Sequence, residues 1–136
     1  MILHKYDVLI NEAIRSRRYS YSPYSKYKVG CAILCKNGTV YTGCNIENAA
    51  FGDTMCAERV AIFKAISEGA CDFKAICVVG GIDEIKDYAY PCGSCRQVLC
   101  EHCDPSLEIV LFNGSDTKIC TLGQLFPFSF GKESIK

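Results

Sequence analysis

Two short cysteine motifs hold the residues of this sequence that are best suited to chemistry. One is Cys-Ala-Glu at residues 56–58, and the other is Pro-Cys-Gly-Ser-Cys at residues 91–95. The two-residue gap between Cys92 and Cys95 lets neighbouring thiolates bind one tetrahedral zinc ion. Cys56 can supply a third ligand, and three protein ligands leave a fourth position for water, as at catalytic zinc sites. The motifs therefore predict one catalytic Zn²⁺ per chain, bound by Cys56, Cys92 and Cys95.

The carboxylate of Glu58 is the candidate catalytic group. It follows Cys56 by two residues, a spacing that points side chains apart in the middle of a helix. In the first turn, however, side chains tilt back over the helix end, so both can face one site. A carboxylate beside a water on a metal can take a proton from it and pass it to a substrate.

The same cysteines allow less specific interpretations. Cys100 and Cys103 form a second pair, so a closed structural site of four cysteines is conceivable. They should lie further along the helix that begins near Cys92, away from its N-terminal end, which disfavours that site. A thioredoxin-like redox pair leaves Cys56 and Glu58 unexplained.

The other cysteines of the chain, which has eleven in total, are interpreted as small buried hydrophobic residues. The odd count, the absence of an export signal and the large apolar fraction argue against a disulfide scaffold. The residues interpreted in this way are Cys31, Cys35, Cys44, Cys71, Cys77, Cys120 and, with them, Cys100 and Cys103.

Composition limits the class of protein and its partners. The 136 residues suit a single domain spanning residues 1–136, and 49% of them are hydrophobic. The formal net charge is zero, so no basic surface for nucleic acid or anionic membrane is expected, and a small-molecule substrate is favoured. No apolar run approaches the roughly 20 residues of a membrane span, and the N-terminus lacks a signal-peptide core. We therefore expect a cytoplasmic protein.

Hydrophobic periodicity and turn residues predict alternating strands and helices. An α/β arrangement around one mixed sheet follows, with each cysteine motif at a helix N-terminus. There, unpaired N–H groups and the helix dipole favour the thiolate, which is the form that binds metal. The predicted helices cover about 4–18, 55–68, 92–103 and 122–125, and the predicted strands cover about 27–35, 39–46, 75–79 and 109–112.

The motifs resemble those of the cytidine deaminase family, in its small, cysteine-ligated branch. That family's signature is a first ligand, one residue, Glu, and later Pro-Cys-x-x-Cys. Further similarity lies in SPYSKYKVG at residues 22–30, GCNIENA at residues 43–49 and LFPFSF at residues 125–130. The resemblance implies a three-layer α/β/α sandwich around one mixed sheet of about five strands, and a homotetramer.

The resemblance also implies roles for substrate-binding residues. Asn45 and Glu47 are similar to residues that hydrogen-bond the ribose hydroxyls, and Tyr27 stands where an aromatic residue lies near the pyrimidine. Phe130 matches a residue that reaches a neighbouring subunit's site. The family usually has Phe at the position of Tyr27 and Ala at the position of Cys31, so substrate fit is where a difference is expected.

The implied reaction is hydrolytic deamination of cytidine and deoxycytidine to uridine and deoxyuridine, with release of ammonia, in pyrimidine salvage. One alternative is deamination of a modified cytosine nucleoside of the blasticidin type. The other, from a different class, is a structural zinc module without catalysis.

Charge counting at the metal predicts a role for arginine. Three thiolates on one Zn²⁺ leave a net charge of about −1, so a cation that hydrogen-bonds sulfur would offset it. Arg59 lies three residues after Cys56 on the same helix face, and Arg96, next to Cys95, is a second candidate. The alternative for Arg59 is an ordinary surface ion pair.

Overall fold

The computed structural model describes residues 4–136, which form one five-stranded sheet in the order β2-β1-β3-β4-β5. The strands are β1 (Lys28–Cys35), β2 (Val40–Cys44), β3 (Phe73–Gly81), β4 (Glu108–Phe112) and β5 (Thr117–Thr121). The helices are α1 (Asp7–Arg17), α2 (Ala57–Ser67), α3 (Gly93–His102) and α4 (Leu122–Leu125), with 3₁₀ turns at Phe51–Asp53 and Lys132–Ile135. None of the helices in this described part has the length and apolarity needed to cross a bilayer.

The sheet is mixed, as the sequence predicts. β1 pairs antiparallel with both β2 and β3, and β4 pairs antiparallel with β5. β3 and β4 are parallel and are joined through α3. The turn between β1 and β2 contains Gly38 at φ +95°, a left-handed conformation that glycine adopts without steric cost.

Alternate strand residues face two separate layers of helix, which gives the predicted three-layer sandwich. Ala32, Cys77 and Val79 pack with α1 on one face. Ile33, Ile76 and Val78 pack with α2, α3 and α4 on the other. Because both faces are covered, β3 is a continuous apolar strand rather than an alternating one.

A glycine lets α2 lie directly against β2. A Cβ built on Gly43 would lie 2.5 Å from the Ala57 carbonyl oxygen and 2.6 Å from the Ala61 nitrogen. Any side chain at Gly43 would push the helix outward. Gly43 therefore helps to set the position of the N-terminal end of α2, where Cys56 and Glu58 lie.

One strand and several cysteines differ from the sequence prediction. β5 is a strand that the residue pattern did not predict; it forms the edge of the sheet and is largely half-exposed or exposed. Cys71 was expected to be buried and is exposed, because it lies in the loop between α2 and β3. Cys31, Cys35 and Cys77 are buried as expected, whereas Cys44, Cys100, Cys103 and Cys120 are half-buried rather than buried.

Candidate active site

Three cysteine sulfurs meet where the N-terminal ends of α2 and α3 adjoin. Cys56 is the N-cap of α2, Cys92 is the N-cap of α3, and Cys95 lies in the first turn of α3. The Cys92 Sγ accepts a hydrogen bond from the Cys95 N–H across 3.4 Å, which fixes the Cys92 side chain over the helix end. Both N-caps therefore place a thiol at the positive end of a helix dipole.

The spacing of the sulfurs fits a single metal ion. All three Sγ atoms lie within 4.8 Å of one another, with Cys56 to Cys92 at 3.6 Å and Cys92 to Cys95 at 3.4 Å. Zinc–sulfur bonds of about 2.3 Å in tetrahedral geometry separate the sulfurs by about 3.8 Å. The described sulfurs thus match a Zn²⁺ site with three protein ligands and a fourth position free for water.

Hydrogen bonds among these residues favour a thiolate at Cys56. The hydrogen bond with Cys95 is the largest cause that lowers the pKa of Cys56, to about 5, and further hydrogen bonds with Arg59 and Cys92 act in the same direction. The same Cys56–Cys95 interaction raises the pKa of Cys95 well above its ordinary value. The cluster therefore favours the thiolate form of Cys56, which is the form that binds metal.

The Glu58 carboxyl is buried beside the sulfurs. Its residue is 4% exposed, and this burial is the main cause that raises the pKa of Glu58 to about 7. The nearby Cys56 charge raises the pKa further. A carboxyl with a pKa near the working pH can both accept and donate a proton.

A cavity of about 410 Å³ opens beside the sulfurs and is large enough for a small molecule. Tyr27, Asn45 and Glu47 line it together with Cys56, Glu58 and Cys92. The structure thus brings most of the sequence-predicted site residues to one cavity.

Asn45 is buried and its side chain connects the segments around the cavity. Its Oδ1 accepts hydrogen bonds from the Val29 N–H at 2.9 Å and from the Ser20 hydroxyl, and its amide donates to the Tyr27 carbonyl at 2.8 Å. Asn45 therefore holds the start of β1 against the end of β2.

Glu47 is half-buried and lines the cavity. Its carboxylate accepts hydrogen bonds from the backbone N–H groups of Tyr24 and Ser25, at 3.0 and 3.1 Å, and from the Ser25 hydroxyl. The hydrogen bond from the Ser25 hydroxyl is the main cause that lowers the pKa of Glu47. The side chain is thus fixed as an acceptor.

The Tyr27 ring lies close to the backbone at Gly80. A Cβ on Gly80 would be 2.9 Å from the Tyr27 hydroxyl oxygen, so only glycine leaves room for this ring. Partial burial is the main cause that raises the pKa of Tyr27, so its hydroxyl remains neutral at physiological pH.

Phe130 does not join the other predicted residues within one chain. It is 62% exposed, and it is not among the residues that line the cavity in the described part of the chain. Its carbonyl oxygen accepts a hydrogen bond from the Gln97 side chain at 2.8 Å, which holds the tail along α3.

The two arginines have different surroundings. The Arg59 Nη2 donates a hydrogen bond to the Cys56 Sγ at 3.4 Å, and the buried Arg59 Nε has no hydrogen-bond partner among the described residues. Arg96 makes no hydrogen bond to sulfur within residues 4–136. It donates instead to the carbonyl oxygens of Pro91 at 2.8 Å and Leu125 at 2.6 Å, because its side chain extends from α3 towards α4.

Sequence reasoning missed part of the cavity wall. Tyr88, Ala89 and Tyr90 also line the cavity, and they lie in residues 82–92, which have no helix or strand. Hydrophobic periodicity predicts nothing in such a segment. These residues could have been identified only from their position in the sequence, since they immediately precede Pro91 and the ligand Cys92.

The fold and the three-sulfur site define a cysteine-ligated zinc protein with an α/β/α sandwich. A family model described as the cytidine and deoxycytidylate deaminase zinc-binding region matches residues 3–110. The chain belongs to this family.

Individual relatives agree over most of the chain. A cytidine deaminase from Sporosarcina psychrophila is 45% identical over 130 residues, which are 95% of this chain and 93% of that protein. The crystal structure of cytidine deaminase from Burkholderia pseudomallei has a TM-score of 0.86 at 42% identity and covers 93% of this chain and 100% of that one. A blasticidin-S deaminase from Bacillus cereus is 31% identical over 111 residues, 78% of this chain and 79% of that protein.

Proposed function

We propose that this protein catalyses the hydrolytic deamination of cytidine and deoxycytidine to uridine and deoxyuridine, with release of ammonia, in pyrimidine salvage. One observation carries the proposal. A buried carboxyl, Glu58, lines the same cavity as a three-cysteine site whose spacing fits zinc. A structural zinc site has four protein ligands and needs neither the cavity nor the carboxyl.

The metal would be held by Cys56, Cys92 and Cys95. When bound, zinc acts as a Lewis acid that makes a water molecule nucleophilic near neutral pH. Arg59 hydrogen-bonds the Cys56 sulfur and offsets the negative charge of the thiolates.

Glu58 is the proton carrier in this mechanism. It accepts a proton from the attacking water and delivers it to ring N3, which makes C4 electrophilic. The water oxygen bonds to C4, and Glu58 then takes the second proton from that oxygen and passes it to the amine, which leaves as ammonia when the C4–N bond breaks. The sum of these steps is cytidine plus water giving uridine plus ammonia. The burial of Glu58 supports the role, because a carboxyl with a pKa near 7 can make both transfers.

Asn45 and Glu47 would hydrogen-bond the ribose hydroxyls, and Tyr27 would lie near the pyrimidine. All three line the cavity, and the fixed acceptor oxygens of Glu47 suit hydroxyl donors. These residues distinguish the ordinary nucleoside from free cytosine, which lacks the sugar.

We further propose that the chain works as one domain, residues 1–136, within a homotetramer. Phe128 and Phe130 are strongly exposed in the C-terminal tail, at 105% and 62%, and large exposed aromatics are typical of interfaces. In this arrangement Phe130 reaches the cavity of a neighbouring subunit. We place the enzyme in the cytoplasm, since thiolate ligands and free cysteines such as Cys71 suit a reducing compartment.

Measurement of ammonia release from cytidine, deoxycytidine and blasticidin S tests the proposal. Release from the two nucleosides is the expected result. Blasticidin S is included because the similarity to the Bacillus cereus deaminase favours it as the second candidate substrate. A preference for blasticidin S would make it the substrate in place of cytidine and deoxycytidine. If the zinc-loaded protein released ammonia from none of the three compounds, a structural zinc module would be indicated.

A further inference from the structure

Residues 82–92, which we call the connecting segment, join β3 to α3 and carry part of the cavity wall. Tyr88, Ala89 and Tyr90 line the cavity, and Cys92 ends the segment as a metal ligand. In the described chain, residues 83–91 make no backbone–backbone hydrogen bond. A segment without such bonds depends on side chains from other elements to keep its conformation.

Side chains of three other elements hold the connecting segment. Arg17 of α1 donates to the Asp83 carbonyl at 2.9 Å, and Arg96 of α3 donates to the Pro91 carbonyl at 2.8 Å. These two contacts hold the ends of the segment. Lys118 of β5 contacts the part between them, where the cavity-lining tyrosines lie.

Lys118 contacts both tyrosines through its ammonium group. Its Nζ donates a hydrogen bond to the Tyr90 hydroxyl at 2.7 Å. The same ammonium lies 5.7 Å from the centroid of the Tyr88 ring, within the range of cation–π attraction. The two rings also contact each other edge to face, with centroids 6.5 Å apart.

No carboxylate competes for this ammonium. Across residues 4–136, Lys118 has no acidic partner within 4.0 Å. The hydrogen bond to Tyr90 is also the main cause that raises the pKa of Lys118, so the side chain stays charged. Its contacts are therefore directed at the two tyrosines.

We propose that Lys118 is a positioning residue for the substrate cavity, which holds Tyr88 and Tyr90 in place and thereby sets the affinity for the nucleoside. This rests on the proposed function for the identity of the ligand. Lys118 itself lies on the edge strand and is not among the residues that line the cavity. It acts through the tyrosines, whose rings it fixes before substrate arrives.

A change at Lys118 should affect binding and leave the chemical step unaltered. Glu58 lies on α2 and Cys95 on α3, and the packing of these helices does not involve Lys118. Without the ammonium, the two tyrosines gain freedom that the substrate must remove on binding. Ordering one such side chain costs about 0.5–1.5 kcal/mol, which corresponds to a rise in KM of about two- to thirteenfold.

The experiment compares Lys118→Met with wild type, using KM and kcat for cytidine, zinc content and the affinity for uridine by calorimetry. Lys118→Met keeps the aliphatic stem and removes the charge. We expect KM and the uridine dissociation constant to rise by the same factor, with kcat and zinc content unchanged. Lys36→Met is the matched control, because Lys36 is an exposed lysine near the β1–β2 turn, and it should match wild type.

Two further variants keep the proposal testable if Lys118→Met folds poorly. Tyr90→Phe removes only the hydroxyl and should raise KM by a smaller factor. Lys118→Arg retains charge and donors and should restore a KM near that of wild type. In the Lys118→Met/Tyr90→Phe double variant the effects on KM should be less than additive, since each single change removes the same hydrogen bond.

An unchanged KM and uridine affinity in Lys118→Met would overturn the proposal. So would a fall in kcat in step with zinc loss, because Lys118 would then support the metal site rather than the cavity. Failure of the wild type to release ammonia would instead contradict the proposed function. The uridine titration does not require turnover, so the two failures are distinguishable.

Discussion

The Arg59 guanidinium donates a hydrogen bond to the Cys56 sulfur across 3.4 Å, and Arg59 lies in α2 three residues after Cys56. Cys56 is the N-cap of α2, so its sulfur is stabilised both by the helix dipole and by a permanent positive charge. Three thiolates on a Zn²⁺ ion carry a net charge of about −1. We expect Arg59 to withdraw electron density from this ligand and so to favour the activation of water.

Arg59→Gln should keep the fold and most of the zinc while lowering kcat. Loss of a hydrogen bond to a metal ligand typically costs about 10- to 100-fold in affinity or activity. Zinc content and kcat for cytidine, measured on the same preparation, check this. Arg18→Gln, on an exposed arginine just after α1, is the control. Wild-type turnover in zinc-loaded Arg59→Gln would mean that the contact has no part in catalysis.

Cys92→Ala should abolish zinc binding, whereas Cys100→Ala should not. The Cys92 sulfur lies 3.6 Å from that of Cys56, while the Cys100 sulfur hydrogen-bonds the Ser129 hydroxyl at 3.5 Å beside a different cavity. Metal analysis per chain checks the difference. Stability should fall with the zinc, because binding of a structural or catalytic ion contributes folding free energy. Equal zinc loss in both variants would favour the closed four-cysteine site.

Glu58→Ala should separate catalysis from metal binding. The variant keeps all three sulfurs, so we expect full zinc content and a native fold. A positioned acid–base group contributes at least about 10²-fold to turnover, and kcat should fall by that factor or more. Glu58→Gln keeps the shape without the proton transfer and should be as inactive. Near-normal ammonia release by either zinc-loaded variant would remove Glu58 from the mechanism.

The metal-site residues were predictable because their spacing is local. Cys92 and Cys95 lie one helical turn apart, and the helix start after Pro91 could be identified from the chain itself. Cys56 joins them through the packing of α2 against α3, and its position at the start of a second helix had predicted it as the third ligand. The order of strands and helices along the chain similarly made the mixed α/β sheet predictable, and the resemblance implied the three-layer sandwich.

The residues that the sequence did not reveal depend on contacts between distant segments. β5 has a partly polar composition, and only its ladder with β4 identifies it as a strand. The position of Lys118 in the sheet was therefore not predicted, and its contact with Tyr90, 28 residues earlier in the chain, could not be foreseen. Arg96 was predicted to lie near sulfur because it is next to Cys95. Its side chain leaves the helix in another direction and hydrogen-bonds the Leu125 carbonyl oxygen.

Mixing of inactive subunits tests the homotetramer and the role of Phe130. In the experiment, Glu58→Ala and Phe130→Ala proteins are dissociated, mixed and reassembled. If Phe130 completes the cavity of a neighbour, the mixture should recover activity. Some of its sites then combine Glu58 of a Phe130→Ala subunit with Phe130 of a Glu58→Ala subunit. Each variant reassembled alone is the control. A fully active monomer in light scattering, or mixed subunits no more active than the separate variants, would contradict the arrangement.

The hydrogen bond from the Tyr6 hydroxyl to Glu108 gives a prediction about stability. Tyr6 is 3% exposed, packs with α1, and donates to a carboxylate that also lies 3.5 Å from the Lys5 ammonium. Tyr6→Phe removes the donor and leaves the ring. We expect a loss of about 1 kcal/mol in the free energy of unfolding at pH 7, since Glu108 remains partly hydrated. Urea unfolding of the zinc-loaded protein measures it.

The pH dependence of this loss follows from the two pKa shifts. The Tyr6 hydrogen bond is the main cause that lowers the pKa of Glu108, so the contribution of the carboxylate is present above its unfolded pKa of about 4.3 and is lost as pH falls. Burial, followed by the Glu108 hydrogen bond, raises the pKa of Tyr6, so its contribution is complete below about pH 10 and is lost at higher pH. The difference in the free energy of unfolding between wild type and Tyr6→Phe should therefore be constant from about pH 6 to 8 and shrink below about pH 4.

The control is Tyr19→Phe, on an exposed tyrosine, which should unfold with the same free energy as wild type at any pH. A Tyr6→Phe difference that persists undiminished at pH 3 would show that packing of the ring, rather than the hydrogen bond, accounts for it.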